Sequence, residues 1–319
     1  MKTMRAFITG IGGFAGSHLT DLLLSKGIEV HGTTVFEGKE PNLAHCAGRV
    51  TLHQCDLASG DQVTEAIQAA KPDWVVHLAA LSFVPSAEKG PQQAILSNVL
   101  GPLNLLEAIK RNCPKAKTLM ISSSAVYGLV AREDLPVPES KPVNPANMYG
   151  ITKASQEMLA RLYHQNDKIP AVNLRPFNHV GPRQSPDFAA PNFARQIAMI
   201  EKDKQEPVIH VGDLSAERDY TDVRDIARAY YLAAQHCTPG GAYNICTGSV
   251  ITMQALLDML IAMSSAAVKV QPDPARMRPS DLPILTGDTA KFHKATGWEP
   301  SIPLEQSLKD LLEYWRERV

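Results

Sequence analysis

Short apolar runs rich in β-branched residues recur along the 319-residue chain, at 5–9, 28–35, 50–54, 74–78, 118–122 and 171–175. Between them the period changes. Leu19, Leu22 and Leu23 share one helix face, and so do Val99, Leu103 and Leu106. Strands that read apolar on both faces and alternate with helices predict a parallel sheet covered on each side, an α/β doubly wound domain. After Arg175 the texture shifts, with Pro176, Pro182, Pro186 and Pro191 breaking the chain and a second proline-rich stretch over 272–283. The expected organisation is a first domain over 1–175 and a smaller mixed α/β domain mainly over 176–319. One strand near 243–247 is expected to return to the first sheet.

Composition narrows the field. Lys plus Arg is 32 and Asp plus Glu is 33, a net charge of −1, which argues against a nucleic-acid surface or a polybasic membrane face. The five cysteines (Cys46, Cys55, Cys113, Cys237 and Cys246) form no CxxC pair and no metal-ligand spacing. Reduced thiols in a cytoplasmic protein, with no metal, are expected. No apolar run approaches the ~18 residues of a membrane span, and the opening MKTMRAFITG leads straight into a strand with no cleavable apolar stretch.

That first strand is followed by Gly10-Ile-Gly-Gly13-Phe-Ala-Gly16 and an amphipathic helix. Gly10 permits a tight turn, Gly13 lets the backbone approach a pyrophosphate, and Gly16 lets the helix pack on the sheet. The free N–H groups of the helix start, at Phe14 and Ala15, attract the anion. This is a Rossmann-type signal, and its place between strand and helix makes it far stronger than a bare glycine trio. The ribose-selecting position at the end of the second strand is Thr34, with no carboxylate in Gly32-Thr-Thr-Val35 to bond a 2′-hydroxyl and no arginine nearby. NADP(H) is therefore expected, with NAD(H) as the alternative. Asp56 and Leu57 follow the third strand where an adenine could lie; a helix cap is an equally good reading of Asp56.

Tyr149-Gly-Ile-Thr-Lys153 puts a phenol and an ammonium on one helix face. Ser122-Ser-Ser-Ala-Val-Tyr-Gly128 stands at the carboxyl end of a sheet strand, where open α/β sheets bind ligands. A phenol with a pKa near 10 is a poor acid–base catalyst unless a cation lowers it, and Lys153 is expected to do so. A serine hydroxyl would bond the substrate oxygen that gains or loses charge.

With His77-Leu-Ala-Ala80, Arg175-Pro-Phe-Asn178 and Arg218-Asp-Tyr-Thr-Asp-Val-Arg-Asp225 added, the chain resembles an extended short-chain dehydrogenase/reductase acting on nucleotide sugars over nearly its whole length. The resemblance implies Ser123, Tyr149 and Lys153 as the catalytic trio. It implies Leu78, Ala79, Ala80 and Asn98 at the cofactor. For the substrate it implies Phe83, Ser124, Asn178 and the arginines Arg183, Arg218 and Arg278, whose guanidinium groups suit a diphosphate. It implies a homodimer through helices around 92–112 and 149–166. The 4,6-dehydratases of this family carry an acid after the catalytic Ser/Thr, where this chain has Ser124 and Ala125. Dehydration therefore loses its acid. The segments Asn173–Gln184 and Arg276-Met-Arg-Pro-Ser-Asp281 look most like the branch that reduces GDP-linked 4-keto-6-deoxy sugars. A 4-epimerase is the alternative, and a non-catalytic cofactor sensor or scaffold stands behind it.

Overall fold

The computed structural model describes residues 3–35, 40–277 and 283–319. Seven strands form one parallel sheet: β1 (Arg5–Thr9), β2 (Glu29–Thr34), β3 (Val50–Gln54), β4 (Trp74–His77), β5 (Lys117–Ile121), β6 (Ala171–Pro176) and β7 (Ala242–Ile245). Their order is β7-β6-β5-β4-β1-β2-β3, so the six apolar runs are the successive strands and the seventh arrives from beyond residue 176. Central strands are buried throughout because helices cover both faces; Ala6, Phe7 and Ile8 of β1 have no exposed surface.

One face is closed by α1 (Phe14–Ser25) with a later helix over Val223–His236. Leu19 and Leu23 meet Ile226, Tyr230 and Ala233 there. The other face is closed by α2 (Gly60–Ala70), α3 (Gly101–Asn112) and α4 (Met148–Asp167), through Ile67, Leu105, Ile109 and Ala160. The chain runs outward from β1 through β2 to β3 and then crosses back to β4 on the other side of β1. Between the carboxyl ends of β1 and β4 lies the switch point where such sheets open a crevice.

Beyond the sheet, a smaller assembly packs the Ala189–Glu201, Met253–Ala262 and Leu304–Arg316 helices around Phe193, Ile197, Leu257 and Leu311. Short strand pairs accompany it: Asn178–Val180 with Tyr220–Asp222, and Val208–Val211 with Lys269–Pro272. This layer forms the far wall of the crevice. Asp222 ties it to its own helix, capping the Val223 start and accepting from Ser307 Oγ at 2.6 Å.

Candidate active site

A cleft of about 1110 Å³ opens at the switch point between the sheet and the smaller assembly. Its sheet side begins with the glycine turn. Gly10 has φ +70°, and a Cβ there would stand 2.9 Å from the backbone of Ala79, so neither the conformation nor the space admits a side chain. The start of α1 has no side-chain cap and no acidic residue in its first turn. Such a start suits an anion, and the turn fits a dinucleotide pyrophosphate.

The reacting end is built by two close approaches. Asn147 caps α4, its Oδ1 accepting from Gly150 N at 2.8 Å, which fixes where the helix begins. A Cβ on Gly150 would lie 2.7 Å from Ala125 O, so the helix start presses on the Ser124–Tyr127 turn that follows β5. That contact brings Tyr149 and Ser123 to the same wall of the cleft. One turn on, Lys153 Nζ stands 6.0 Å from the Tyr149 ring centroid. It donates to Ile121 O at 2.7 Å and to Gln156 Oε1 at 3.1 Å. Gln156 Nε2 donates to the same Ile121 carbonyl at 3.1 Å.

Burial dominates the electrostatics here. It pushes the Lys153 ammonium down to about 7, against the upward pull of Glu157. It pushes the Tyr149 phenol up to about 12, against the downward pull of Ser123. The expectation that Lys153 lowers Tyr149 is therefore corrected: desolvation raises the phenol and outweighs the opposing effect of Ser123, while the Lys153 ammonium is turned to Ile121 and Gln156. His77, fully buried behind them, is pushed down to about 3 by burial and then by the charge of Lys153. Its Nδ1 shares a proton with Thr9 Oγ1 at 2.8 Å.

Most residues expected from sequence line this one cleft: Gly10, Gly13, Phe14, Ala15 and Gly16; Leu78, Ala79 and Ala80; Ser123, Tyr149 and Lys153; and Phe83, Ser124, Asn178, Arg183 and Arg218. Four expected cofactor residues do not line it. Asn98 is fully buried, its amide bonded to both backbone groups of Leu81 and to Thr152 Oγ1, so it holds the loop after β4 from behind. Asp56 closes a turn by accepting from Ala58 N, and Leu57 packs against Gly101. Thr34 gives its hydroxyl to Glu40. Arg278 lies outside the described residues.

Arg183 does more than line the wall. Its Nη1 pairs with Asp21 of α1 at 2.8 Å, its backbone has φ +74°, and His18 of the same helix bonds Pro182 O at 2.9 Å. Phe14 stacks on His179 with ring centroids 5.6 Å apart. The loop after β6 is thereby strapped to the cofactor helix. Residues unseen by sequence reasoning also face the cleft, among them Gln184, Phe188, Asn192, His210, Asp213 and Tyr230. They come from separate elements and form no local motif. Among the described lining residues the carboxylates are Asp187 and Asp213, neither of them beside Ser123 in the chain.

A dinucleotide-type turn joined to a Ser–Tyr–Lys site defines an extended short-chain dehydrogenase/reductase. More narrowly, the chain belongs to the family described as GDP-mannose 4,6 dehydratase, whose model matches residues 7–311. The chain is 34% identical to the GDP-6-deoxy-D-mannose reductase of Pseudomonas aeruginosa, covering 99% of each chain. Among solved structures it resembles RMD from Pseudomonas aeruginosa complexed with NADPH, with TM-score 0.87 and 33% identity over 99% of this chain and 100% of that one. It also resembles the Thermus thermophilus UDP-glucose 4-epimerase in complex with NAD, with TM-score 0.88 and 29% identity over 99% and 100%.

Proposed function

We propose that the protein reduces the 4-keto group of a GDP-linked 4-keto-6-deoxy hexose, forming a GDP-6-deoxy sugar of the rhamno type, with NADPH as reductant and NADH as the alternative. The observation that carries this reading is the meeting of Ser123, Tyr149 and Lys153 in one cleft beside the glycine turn, where burial favours the protonated phenol. Reduction needs an acid at the carbonyl oxygen, and Tyr149 with its pKa pushed up to about 12 holds that proton. When bound, the reduced nicotinamide supplies a hydride for carbon 4. Ser123 Oγ orients the carbonyl oxygen beside the phenol and stabilises its growing charge. Lys153 sits one turn away to return a proton after each turnover.

Dehydration has no acid in place at Ser124 and Ala125, since neither side chain exchanges a proton usefully near neutral pH. Epimerisation would require Tyr149 to start as a base, against the upward shift of its pKa. Arg218 and Arg183 supply cationic groups to the wall where a diphosphate would lie.

The fit to this family also supports a homodimer. Ile151, Met158 and Leu162 on α4 are exposed, as are Ile95 and Leu96 on the neighbouring segment, and together they offer an apolar strip for a second copy. Sedimentation of the purified protein should give twice the 34.8 kDa chain mass. No helix among the described residues is long and apolar enough to cross a membrane, and all five cysteines are free, which fits a reducing cytoplasm.

The test is oxidation of NADPH by purified protein with GDP-4-keto-6-deoxy-mannose. Rapid loss of reduced cofactor with a GDP-6-deoxy sugar as product supports the reading. No loss, with interconversion of a UDP- or GDP-hexose in the absence of added reductant, replaces it with the epimerase.

A further inference from the structure

We propose that Gln156 is a positioning residue for Lys153: its side-chain amide pins the ammonium to the carbonyl that ends β5, and so fixes where the proton donor to Tyr149 stands. The inference rests on the reductase reading and deepens it. Gln156 follows Lys153 by three residues on α4, so the two side chains share a helix face. Lys153 Nζ donates to Ile121 O at 2.7 Å and to Gln156 Oε1 at 3.1 Å, and Gln156 Nε2 donates to the same Ile121 carbonyl at 3.1 Å. The three groups close a ring. Each bond in it has a forced direction, because an ammonium only donates and a carbonyl only accepts. Turning the amide over would set nitrogen against nitrogen and oxygen against oxygen. Gln156 is fully buried, which is costly for an amide unless it is bonded, and among the described residues the ring supplies its bonds.

The ammonium carries three protons. Ile121 and Gln156 take two of them, which leaves the third for the cleft that Lys153 lines. With the amide gone, one anchor would remain and Nζ could swing about it, so its distance of 6.0 Å from the Tyr149 ring centroid would no longer be set. The ionisable groups around the ammonium do not replace that anchor. Glu157, next along α4, is gripped by Arg175 of β6 at 2.9 and 2.7 Å. His77 of β4 is neutral, its pKa pushed down to about 3 by burial and then by the Lys153 charge. Tyr149, and Tyr230 on the Val223–His236 helix, are phenols that burial keeps protonated. Among the described residues, Gln156 is the side chain that bonds the ammonium.

The test titrates Lys153 directly, by NMR of protein made with isotope-labelled lysine, without sugar or cofactor. The Lys153 signal is identified by its absence from Lys153→Met. In Gln156→Met the ammonium loses an acceptor, and its titration midpoint should fall by about one pH unit. In Gln156→Glu a carboxylate takes the place of the amide, and the midpoint should rise by about one unit. The alkaline limb of kcat/KM for NADPH oxidation should move with the midpoint in each variant. A glutamine that only fills the core would change the melting temperature and leave both midpoints where they are. Unmoved midpoints in both folded variants, or movement of both in the same direction, overturn the role of Gln156 and leave the reductase reading intact. Opposite shifts in a protein that oxidises no NADPH with the keto sugar overturn the reductase reading and leave the anchoring of Lys153 by Gln156 standing.

Discussion

Lys153 on the cleft floor and Arg175 in the polar layer beneath it are both buried cations with Glu157 close by, yet their charges fare in opposite ways. Burial works against the Arg175 charge, but two parallel bonds to Glu157, at 2.9 and 2.7 Å, override it and hold the pKa above the ordinary arginine value. Tyr127 and the Glu139 carbonyl complete the guanidinium's partners. Lys153 has only neutral oxygens as direct partners, and its pKa falls to about 7. A fully paired cation is fixed in charge and serves the fold. An incompletely paired one titrates within reach of neutral pH, which is what a proton-handling group requires.

The largest expected effect separates chemistry from architecture on the floor. Tyr149→Phe should lower kcat by roughly 10²–10⁴-fold, the usual range for losing a general acid. Cofactor affinity should hold within about twofold, since the phenol oxygen is not part of the turn that grips the dinucleotide. A similar loss of binding would mean the variant had disturbed the floor itself.

In the layer beneath, Glu157→Ala should cost about 3–5 kcal/mol of stability in chemical denaturation, because it leaves the Arg175 charge buried without its partner. It should also lower the Lys153 pKa further, since Glu157 is what pulls it up. Little change in stability would mean that Arg175 finds another anion and that the contrast between the two cations is wrong.

The pH dependence sharpens the same contrast. Lys153 loses its proton as pH rises through about 7, so kcat/KM for reduction should be level on the acid side and decline above it by up to about tenfold per unit. The stability effect has a defined sign. The folded-state pKa lies below the 10.5 of a free lysine, so the unfolded chain binds more protons between about 7 and 10.5. This group's penalty on the fold is therefore full below pH 7 and fades as pH rises toward 10.5. Lys153→Met should raise the melting temperature by a few degrees at pH 6 while nearly abolishing turnover. A fall in melting temperature would show that the ammonium is a structural element like Arg175.

What the sequence made legible follows the range of the interactions involved. The strands were readable because burial on both faces turns them into uninterrupted apolar runs such as 5–9 and 171–175. The Ser–Tyr–Lys group was readable because Tyr149 and Lys153 share a helix face and Ser123 ends a strand. Thr34, Asp56, Leu57 and Asn98 were harder, since each sits near the ribose or nicotinamide path in sequence while its side chain is turned to another partner. Asn98, bonded to Leu81 and Thr152, is the plainest case. Arg183 showed its charge but not its Asp21 partner on α1, 162 positions away. His210 and Asp213, at the end of the Val208–Val211 strand, and Tyr230, on the Val223–His236 helix, reach the cleft from separate elements, and only non-local packing unites them with the rest of the site.

The most direct test of the central claim is to supply NADPH deuterated at both carbon-4 positions of the nicotinamide, with GDP-4-keto-6-deoxy-mannose, and to examine the sugar by mass spectrometry and NMR. We expect one deuterium per product molecule, at carbon 4 of the sugar. A product without deuterium, or deuterium at any other sugar carbon, would contradict hydride delivery to the 4-keto group at the Ser123–Tyr149 site.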